Sequence, residues 1–245
     1  MQGIDRMTKR QIFRYAFTKS LPIMCSYVFL SLAYGLMMQN AGFAWYYSFL
    51  ASTFVYTGAF QFVLITFLSS GASLLTVALT ALLMNSRQVF YALTFLPDFR
   101  QTGRRLPYMI HSLTDETFAV DCTLTLQGRE RREVMFWVAV LSQSYWVIGS
   151  VVGGVLGQLI PFDFEGIDFC MTALFLIIFV DQWEKATAAH RKDDAHLPAL
   201  LGLAIGALCL LVFGESSFML PALLITSALL LLWQRKQPAE TNRHH

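Results

Sequence analysis

Charged side chains inside long apolar segments are the residues of this sequence that could carry chemistry. Arg87 is the only formally charged residue between Leu21 and Pro97. Because an ionisable group inside a bilayer costs about 2.5 to 3.5 kcal/mol on insertion scales, Arg87 needs a partner or access to water. It shares one predicted helical face with four polar residues, Thr76, Thr80, Tyr91 and Thr94. Arg87 therefore either reaches an interface, locks two helices together, or balances a carboxylate of the protein or of a substrate.

The segment from His111 to Asp121 supplies candidate carboxylates for such a pair. At about 100° per residue, His111, Thr114, Asp115, Thr117 and Asp121 fall on one arc of a helix, whereas Glu116 points away from it. Acidic groups at membrane depth are the components of a proton relay. We expect Asp115 to be the preferred protonation site, Glu116 the second choice and Asp121 a further member. The alternative is an interfacial helix whose acids are solvated.

A glycine interrupts the apolar run that contains Tyr56, Thr57, Phe60 and Gln61. Gly58 could let the helix break and expose backbone groups, which lipid permits only where they are buried in protein or line a cavity. Those groups could bind the charged ends of an amino acid. The alternative is close helix packing at Gly58 with an interhelical hydrogen bond from Gln61. The predicted substrate-binding residues are Tyr56, Thr57, Gly58, Phe60, Gln61 and Arg87.

Enzymatic chemistry finds little support in the motifs. His111 and Asp115 are spaced as two metal ligands could be, but a usable site needs further ligands. The sequence has no H-E-x-x-H motif, no Ser/His/Asp pattern and no phosphate-binding loop. We therefore expect no cofactor, no metal and no enzymatic activity. An intramembrane metalloenzyme that uses His111, Asp115 and Asp121 remains the less favoured alternative.

The elements that must position these residues are transmembrane helices. Of the 245 residues, 56% are hydrophobic and 14% are charged, against roughly a quarter charged in soluble domains. This composition excludes a soluble or disordered protein, and the net charge of +2 gives no indication of a nucleic-acid partner. The predicted fold is an all-α polytopic transmembrane bundle of about seven or eight spans, with interrupted helices and a possible internal repeat around Gln61 and Gln182. The predicted spans are 20–39, 45–68, 72–97, 107–126, 134–160, 167–184, 197–213 and 218–234. Span 107–126 is the doubtful one because of its acids.

Domain limits and orientation follow from the positions of the charges. The sequence predicts a basic N-terminal segment over 1–19, one transmembrane domain over 20–234 and a C-terminal tail over 235–245. With eight crossings, 14 basic residues lie on the side of the N-terminus and three lie opposite, Arg100, Arg104 and Arg105. Because cytoplasmic flanks carry the excess of Lys and Arg, both termini are predicted to be cytoplasmic in the cell (inner) membrane. A re-entrant segment would move the three arginines to the same side.

A repeated glycine spacing predicts where two helices approach closely. Gly149, Gly153 and Gly157 form a ridge of small residues in the span 134–160. The partner of that ridge is either the span that contains Gly202 and Gly206 or a separate subunit.

Several fragments together resemble the AzlC-type family of branched-chain amino acid permeases. They are LPIMCSYVFLSLAYGL at 21–36, VYTGAFQFV at 55–63, GASL at 71–74, NSRQVFY at 85–91, LTDETFAV at 113–120 and SQSYWVIGSVVGG at 142–154. The resemblance implies the large subunit of a proton-driven exporter of leucine, isoleucine, valine and methionine that works with a small AzlD-like membrane subunit. The family motifs carry Gly58, Gln61, Arg87, Asp115 and Glu116, whereas Phe60 and Gln88 depart from the usual pattern. A structural or scaffold membrane subunit without its own solute path is the main alternative.

Overall fold

The computed structural model describes residues 7–159, 176, 179–180, 183–184, 196–214 and 218–236. Within these ranges, all regular elements are helical. The nine α-helices are α1 (Lys9–Asn40), α2 (Trp45–Phe54), α3 (Ala59–Ser70), α4 (Leu74–Arg100), α5 (Leu106–His111), α6 (Asp115–Cys122), α7 (Gly128–Leu159), α8 (Leu197–Phe213) and α9 (Met219–Lys236). The predicted all-helical class is confirmed for the described residues.

Two of the described helices, α1 and α7, are long and apolar enough to cross a membrane. Each has 32 residues, which corresponds to about 48 Å of helix. Helix α1 starts earlier than the predicted span 20–39 because Thr8 and Gln11 form a capping box at its N-terminus. Its basic first turns are therefore helical and continuous with the apolar part.

The glycine ridge of α7 packs against α1. A Cβ atom on Gly149 would collide with the Ser31 side chain, and one on Gly153 would collide with the Leu32 backbone. From the other side, a Cβ atom on Gly35 would collide with the Ser150 backbone. The two long helices can approach this closely only because small residues face each other. The ridge of α7 thus has the first helix as its partner.

The predicted span 45–68 is a hairpin of two short helices. Tyr56, with φ of 32°, and Gly58, with φ of 54°, lie between α2 and α3. The Gln61 side chain donates from Nε2 to Ser52 Oγ at 3.3 Å. In a continuous helix these two residues would be about 13 Å apart, so the chain must turn back between them. We call residues Trp45–Ser70 the first hairpin.

The predicted span 107–126 is a second hairpin instead of a full crossing. Helix α5 has six residues and α6 has eight, and both are too short to cross a bilayer. Thr114 caps α6 and forms a capping box with Thr117, so a new helix starts where a single one was predicted. We call residues Leu106–Cys122 the second hairpin.

Ion pairs place both ends of the second hairpin beside the start of α7. Before the hairpin, Arg105 Nη1 lies 3.0 Å from Glu133 Oε2. After it, Arg131 donates from Nη1 to the Leu124 carbonyl oxygen at 2.6 Å and from Nη2 to the Asp121 carbonyl oxygen at 3.1 Å. The second hairpin therefore enters and leaves the bundle at the same end.

This arrangement corrects the predicted sidedness of the arginines that precede the second hairpin. Asp98, near the end of α4, pairs with Arg131 at 3.3 Å, and the Met7 amide donates to Glu130 at 2.7 Å. The carboxyl end of α4, the start of α1 and the start of α7 thus share one end of the bundle. Arg100, Arg104 and Arg105 lie with Arg129, Arg131 and Arg132 and not opposite them.

The chain divides into two compact units. One comprises Met1–Ser69 and Asn85–Cys170, and the other comprises Ser70–Met84 and Met171–His245. In the second unit α8 packs against α9, and these two helices match the predicted spans 197–213 and 218–234. Most of the predicted span 167–184, including Gln182 of the possible repeat, lies outside the described residues, as do residues 1–6 and 237–245.

Candidate functional site

An ion pair joins α4 to the first turn of α6. The Nη2 atom of Arg87 lies 2.6 Å from Oδ2 of Asp115, and the two side chains are 43% and 38% exposed. One turn further along α4, Tyr91 interacts with Asp115 and stacks on Phe118 with 4.2 Å between ring centroids. The polar stripe predicted for α4 therefore faces α6 at Arg87 and Tyr91. The ion pair fits two of the alternatives for Arg87, a link between two helices and a balance for a carboxylate of the protein.

Glu116 has a different partner from that of its neighbour in the chain. Its Oε2 atom accepts a hydrogen bond of 2.7 Å from the hydroxyl of Tyr27 on α1. The same hydroxyl lies 2.8 Å from Thr114 Oγ1. Tyr56, which is 2% exposed, interacts with both Tyr27 and Glu116. We call Tyr27, Tyr56, Arg87, Tyr91, Thr114, Asp115 and Glu116 the acid cluster.

The acid cluster lies about halfway along the long helices. Tyr27 is 18 residues beyond the start of α1, which corresponds to about 27 Å of a 48 Å helix. At this depth no bulk lipid group can compensate a charge, so the cluster must face protein or water.

The tips of the two hairpins meet beside the acid cluster. The carbonyl oxygen of Thr53, in the last turn of α2, accepts a hydrogen bond of 3.1 Å from Gln143 Nε2. His111 Nε2 lies 3.1 Å from the same oxygen and must donate, since a carbonyl oxygen only accepts. Gln143 Oε1 in turn accepts a hydrogen bond of 2.8 Å from the Tyr108 hydroxyl. Gln143 of α7 thus connects the tip of the first hairpin to the first helix of the second hairpin.

A separate polar chain holds Gln61 against α7. Ser150 Oγ donates to the Trp146 carbonyl oxygen at 2.7 Å and therefore accepts the 2.8 Å bond from Ser52. With its proton used, Ser52 accepts from Gln61 Nε2. This order assigns Nε2 of the Gln61 amide to Ser52 and leaves Oε1 as the other amide atom of a fully buried side chain. Among the described residues, Gln61 Oε1 and the Tyr34 hydroxyl have no partner with hydrogen-bond geometry.

Comparison with known proteins identifies the family of the chain. The family model described as AzlC protein matches residues 22–160, which is more than half of the 245 residues and includes both hairpins. The chain belongs to the AzlC family. No solved structure shows a significant match to it.

Three relatives of this AzlC-family chain cover most of its length. The "Branched-chain amino acid transport protein AzlC" of Bacillus subtilis is 34% identical over 94% of this chain and 89% of the relative. An "Uncharacterized membrane protein" of Helicobacter pylori J99 is 38% identical over 91% of this chain and 96% of the relative. The "Inner membrane protein YgaZ" of Escherichia coli is 31% identical over 84% of this chain and 82% of the relative. Together with α1 and α7, these names show that the AzlC-family chain is a membrane protein of a transport family.

The structure distinguishes the two interpretations of Gly58. A Cβ atom on Gly58 would meet nothing within 4 Å, so the glycine is not there for close packing. Its positive φ belongs to the break that reverses the first hairpin. Thr57 Oγ1 is buried in this break and has no hydrogen-bond partner among the described residues, while Phe60 is 4% exposed in the first turn of α3. The predicted break is therefore present, and the Thr57 hydroxyl is its buried polar group without a partner among the described residues.

The six predicted substrate-binding residues of the AzlC-family chain lie at three places. Tyr56 and Arg87 belong to the acid cluster, whereas Gln61 belongs to the polar chain with Ser52 and Ser150. Thr57, Gly58 and Phe60 lie between them along the first hairpin.

Asp121 lies apart from the two acids with which it was grouped. It is 2% exposed and interacts with Arg131 and Asp98 at the end of the bundle where α7 starts. Asp121 follows Asp115 by six residues, about 9 Å along α6. The predicted single arc from His111 to Asp121 is wrong because the chain is not helical at 112–114.

His111 and Asp115 do not form a metal site in the part of the chain that the structure describes. The two residues belong to different helices, and His111 contacts the Thr53 carbonyl oxygen. No group of three or more His, Cys, Asp or Glu side chains among the described residues could hold a metal ion.

Sequence reasoning missed Tyr27, Tyr108 and Gln143 as members of the site. Tyr27 and Gln143 lie in fragments that carry the family resemblance, but each stands in an apolar helix without a charge to mark it. A buried polar side chain in a transmembrane helix is the signal that could have identified them.

Proposed function

We propose that this AzlC-family chain is the large subunit of a secondary transporter that exports branched-chain amino acids and is coupled to protons. The observation that carries the proposal is the Arg87–Asp115 ion pair beside two broken helices, about halfway along α1. Transporters commonly place substrate sites where discontinuous helices end near the middle of the membrane. The printed name of the Bacillus subtilis relative supports branched-chain amino acids as the substrate class.

An amino acid zwitterion needs a cation for its carboxylate and acceptors for its ammonium group. Arg87 supplies a planar guanidinium, whose partly exposed position leaves it accessible to a second carboxylate. The break at 55–58 supplies backbone carbonyl groups and the Thr57 hydroxyl. In this proposal the substrate carboxylate competes with Asp115 for Arg87, and Gly58 keeps the backbone groups accessible.

The aliphatic side chain of the substrate requires an apolar wall. Tyr56 and Phe60 supply it next to the break, and Gln61 holds the hairpin closed behind them. Since one methylene changes affinity by only about 1–3 kcal/mol, such a wall accepts leucine, isoleucine, valine and methionine together.

Proton coupling is assigned to acids along the second hairpin. Asp115 and Glu116 lie at half depth, and Asp121 lies at the end of the bundle where the basic residues gather. Acids placed at successive depths can pass a proton between the two aqueous phases.

The basic residues support an orientation in the cell (inner) membrane. Arg105 and Arg131 lie at the same end of the bundle as the start of α1. Because basic residues favour the cytoplasmic side, this end and both termini are proposed to be cytoplasmic. The small AzlD-like subunit is proposed as the partner on the family resemblance alone.

Leucine flux in reconstituted vesicles tests the proposed function. The chain is reconstituted with the small subunit of its own operon or genome, and labelled leucine is followed with and without an imposed pH gradient. We expect flux that valine, isoleucine and methionine inhibit and that Arg87→Ala abolishes. Arg104→Ala, a change at an exposed residue away from the acid cluster, is the matched control. Equal fluxes in loaded and protein-free vesicles would exclude the transporter and leave the scaffold alternative.

A further inference from the structure

We propose that Glu116 is the carboxyl group that carries the coupled proton, and that Tyr27 is a positioning residue that transmits its protonation state to the tip of the second hairpin. This inference rests on the proposed proton-coupled transport. It reverses the order that the sequence suggests for the two adjacent acids. No role has been given above to Tyr27 beyond its contacts.

The surroundings of the two acids differ in charge. Asp115 is balanced by the Arg87 guanidinium at 2.6 Å. Glu116 is held by the neutral hydroxyl of Tyr27 at 2.7 Å and has no salt-bridge partner in the described ranges. Gaining or losing a proton at Glu116 therefore leaves the ion pair at Asp115 in place.

The groups that face Glu116 come from every element around it. Helix α1 contributes Tyr27, the break of the first hairpin contributes Tyr56, and α4 contributes Tyr91. Arg87 is the cation of this cluster, and it is committed to Asp115. Of the three tyrosine hydroxyls, the one of Tyr27 bonds to Glu116, and a hydroxyl can donate to an ionised carboxyl group or accept from a protonated one.

The burial of the two partners suits a relay from water to the interior. Glu116 is exposed on one face, whereas Tyr27 is 4% exposed and packs edge-on against Trp146 with 5.1 Å between ring centroids. The carboxyl group can thus exchange a proton with an aqueous phase while its other side contacts a fixed buried hydroxyl.

The single proton of the Tyr27 hydroxyl links Glu116 to the cap of α6. When Glu116 is ionised, Tyr27 must donate to it, because a carboxylate only accepts, and Thr114 then donates to the Tyr27 oxygen. When Glu116 takes up a proton from water, its carboxyl group can donate to Tyr27, whose own proton turns to Thr114 Oγ1. No covalent bond other than the acid O–H forms or breaks.

This reversal acts on the residue that starts α6. Thr114 caps α6 and accepts from the Thr117 amide at 3.4 Å, and the next residue in the chain is Asp115. A change in the hydrogen bonds of Thr114 therefore occurs directly beside the Arg87–Asp115 pair. Protonation of Glu116 would in this way alter how readily Asp115 releases Arg87 to a substrate carboxylate.

Two flux assays on the reconstituted complex test the inference. One follows exchange of labelled leucine at equal pH on both sides, and the other follows leucine accumulation driven by a pH gradient. We expect Glu116→Gln and Tyr27→Phe to lower the ratio of accumulation to exchange by at least ~10-fold. Tyr145→Phe is the matched control, because it likewise removes a tyrosine hydroxyl that links α1 to another element, here α7 through Ser20 at 3.1 Å, without touching the second hairpin. It should leave the ratio at the wild-type value.

Separate outcomes distinguish failure of this inference from failure of the proposed function. Absence of leucine exchange in the wild-type complex would refute transport itself. Normal gradient-driven accumulation in Glu116→Gln, together with a lowered ratio of accumulation to exchange in Asp115→Asn, would overturn the assignment to Glu116. If Tyr27→Phe does not fold, Glu116→Asp serves instead, because it keeps an acid but moves it away from Tyr27, and an unchanged ratio in that variant would overturn the role of Tyr27.

Discussion

The carbonyl oxygen of Thr53 and the Nε2 atom of His111 lie 3.1 Å apart, and this contact joins the tips of the two hairpins. Thr53 lies in the last turn of α2 and His111 is the last residue of α5, so the contact joins two helix ends. Backbone that is not helical at membrane depth is tolerated only inside protein or beside a cavity. The meeting of the hairpin tips thus creates the setting in which the acid cluster lies.

The sidedness of the second hairpin can be tested by labelling. Single cysteines at Arg104 and Arg129, both exposed, should react with a membrane-impermeant maleimide from the same side of the membrane. A cysteine at Ala41, beyond the far end of α1, should react from the opposite side. The native cysteines are first replaced by serine.

Labelling of positions 104 and 129 from opposite sides would contradict the hairpin and restore a full crossing at 107–126. Labelling of the same cysteines in lysed membranes is the control, because it shows whether an unlabelled cysteine is unreactive or only inaccessible from one side.

The close approach of α1 and α7 predicts a large stability difference between two glycines. Gly153→Ala places a Cβ atom against the Leu32 backbone and should destabilise the protein by about 1–3 kcal/mol, as overpacking does. Gly206→Ala is the matched control, since nothing lies within 4 Å of its Cβ position. Thermal unfolding of both variants in detergent, followed by size-exclusion chromatography, measures the difference. Equal midpoints would show that the α1–α7 contact is looser than described.

The break of the first hairpin predicts a loss of transport without a steric clash. Gly58→Ala should strain the left-handed backbone by about 1–2 kcal/mol although the added Cβ atom meets nothing. Gly42→Ala, with φ of 87° and equally open space, should cost similar stability. Leucine flux should fall in the first variant and persist in the second.

Gly58→Asn is the graded test of the same idea, because asparagine tolerates positive φ better than alanine does. Flux that is equal in Gly58→Ala and Gly58→Asn would argue against a backbone role.

The bridge through Gln143 predicts which segments loosen when it is removed. Gln143→Leu deletes the bonds to the Thr53 carbonyl oxygen and the Tyr108 hydroxyl. Faster amide hydrogen exchange is expected in residues 53–58 and 106–114 because the tips lose a shared anchor. Ser144→Ala is the control, since its hydroxyl bonds only to Val140 of its own helix. Exchange that is unchanged in both segments would disprove the anchoring role.

The sequence predicts the long elements well and the hairpins poorly, for a physical reason. Hydropathy identifies α1, α4 and α7 because each is an apolar run of helix length, and the helical period correctly places Arg87 and Tyr91 on one face. A run such as 45–68 has the same hydropathy whether it crosses once or turns back at Gly58. The direction of the chain depends on contacts such as that from Gln61 to Ser52, which local patterns do not encode.

The candidate site shows the same division. Arg87, Asp115 and Glu116 could be singled out because a charge in an apolar segment requires an explanation. The partners of these residues could not be predicted from the sequence. Tyr27 and Glu116, for example, are 89 residues apart, and neither charge nor spacing marks the hydroxyl of Tyr27. The neighbouring acids were ranked by helical angle, whereas the interruption at 112–114 decides which partner each one meets.

Small side chains between α1 and α7 have a mechanical consequence. At Gly35 and Gly153 backbone lies against backbone, so at this level no side chain separates the two helices and neither can shift without a backbone collision. The two helices are therefore expected to move together as one rigid pair. In the transport cycle proposed above, the short broken helices beside this pair are assigned the movement that exposes the substrate to one aqueous phase and then to the other.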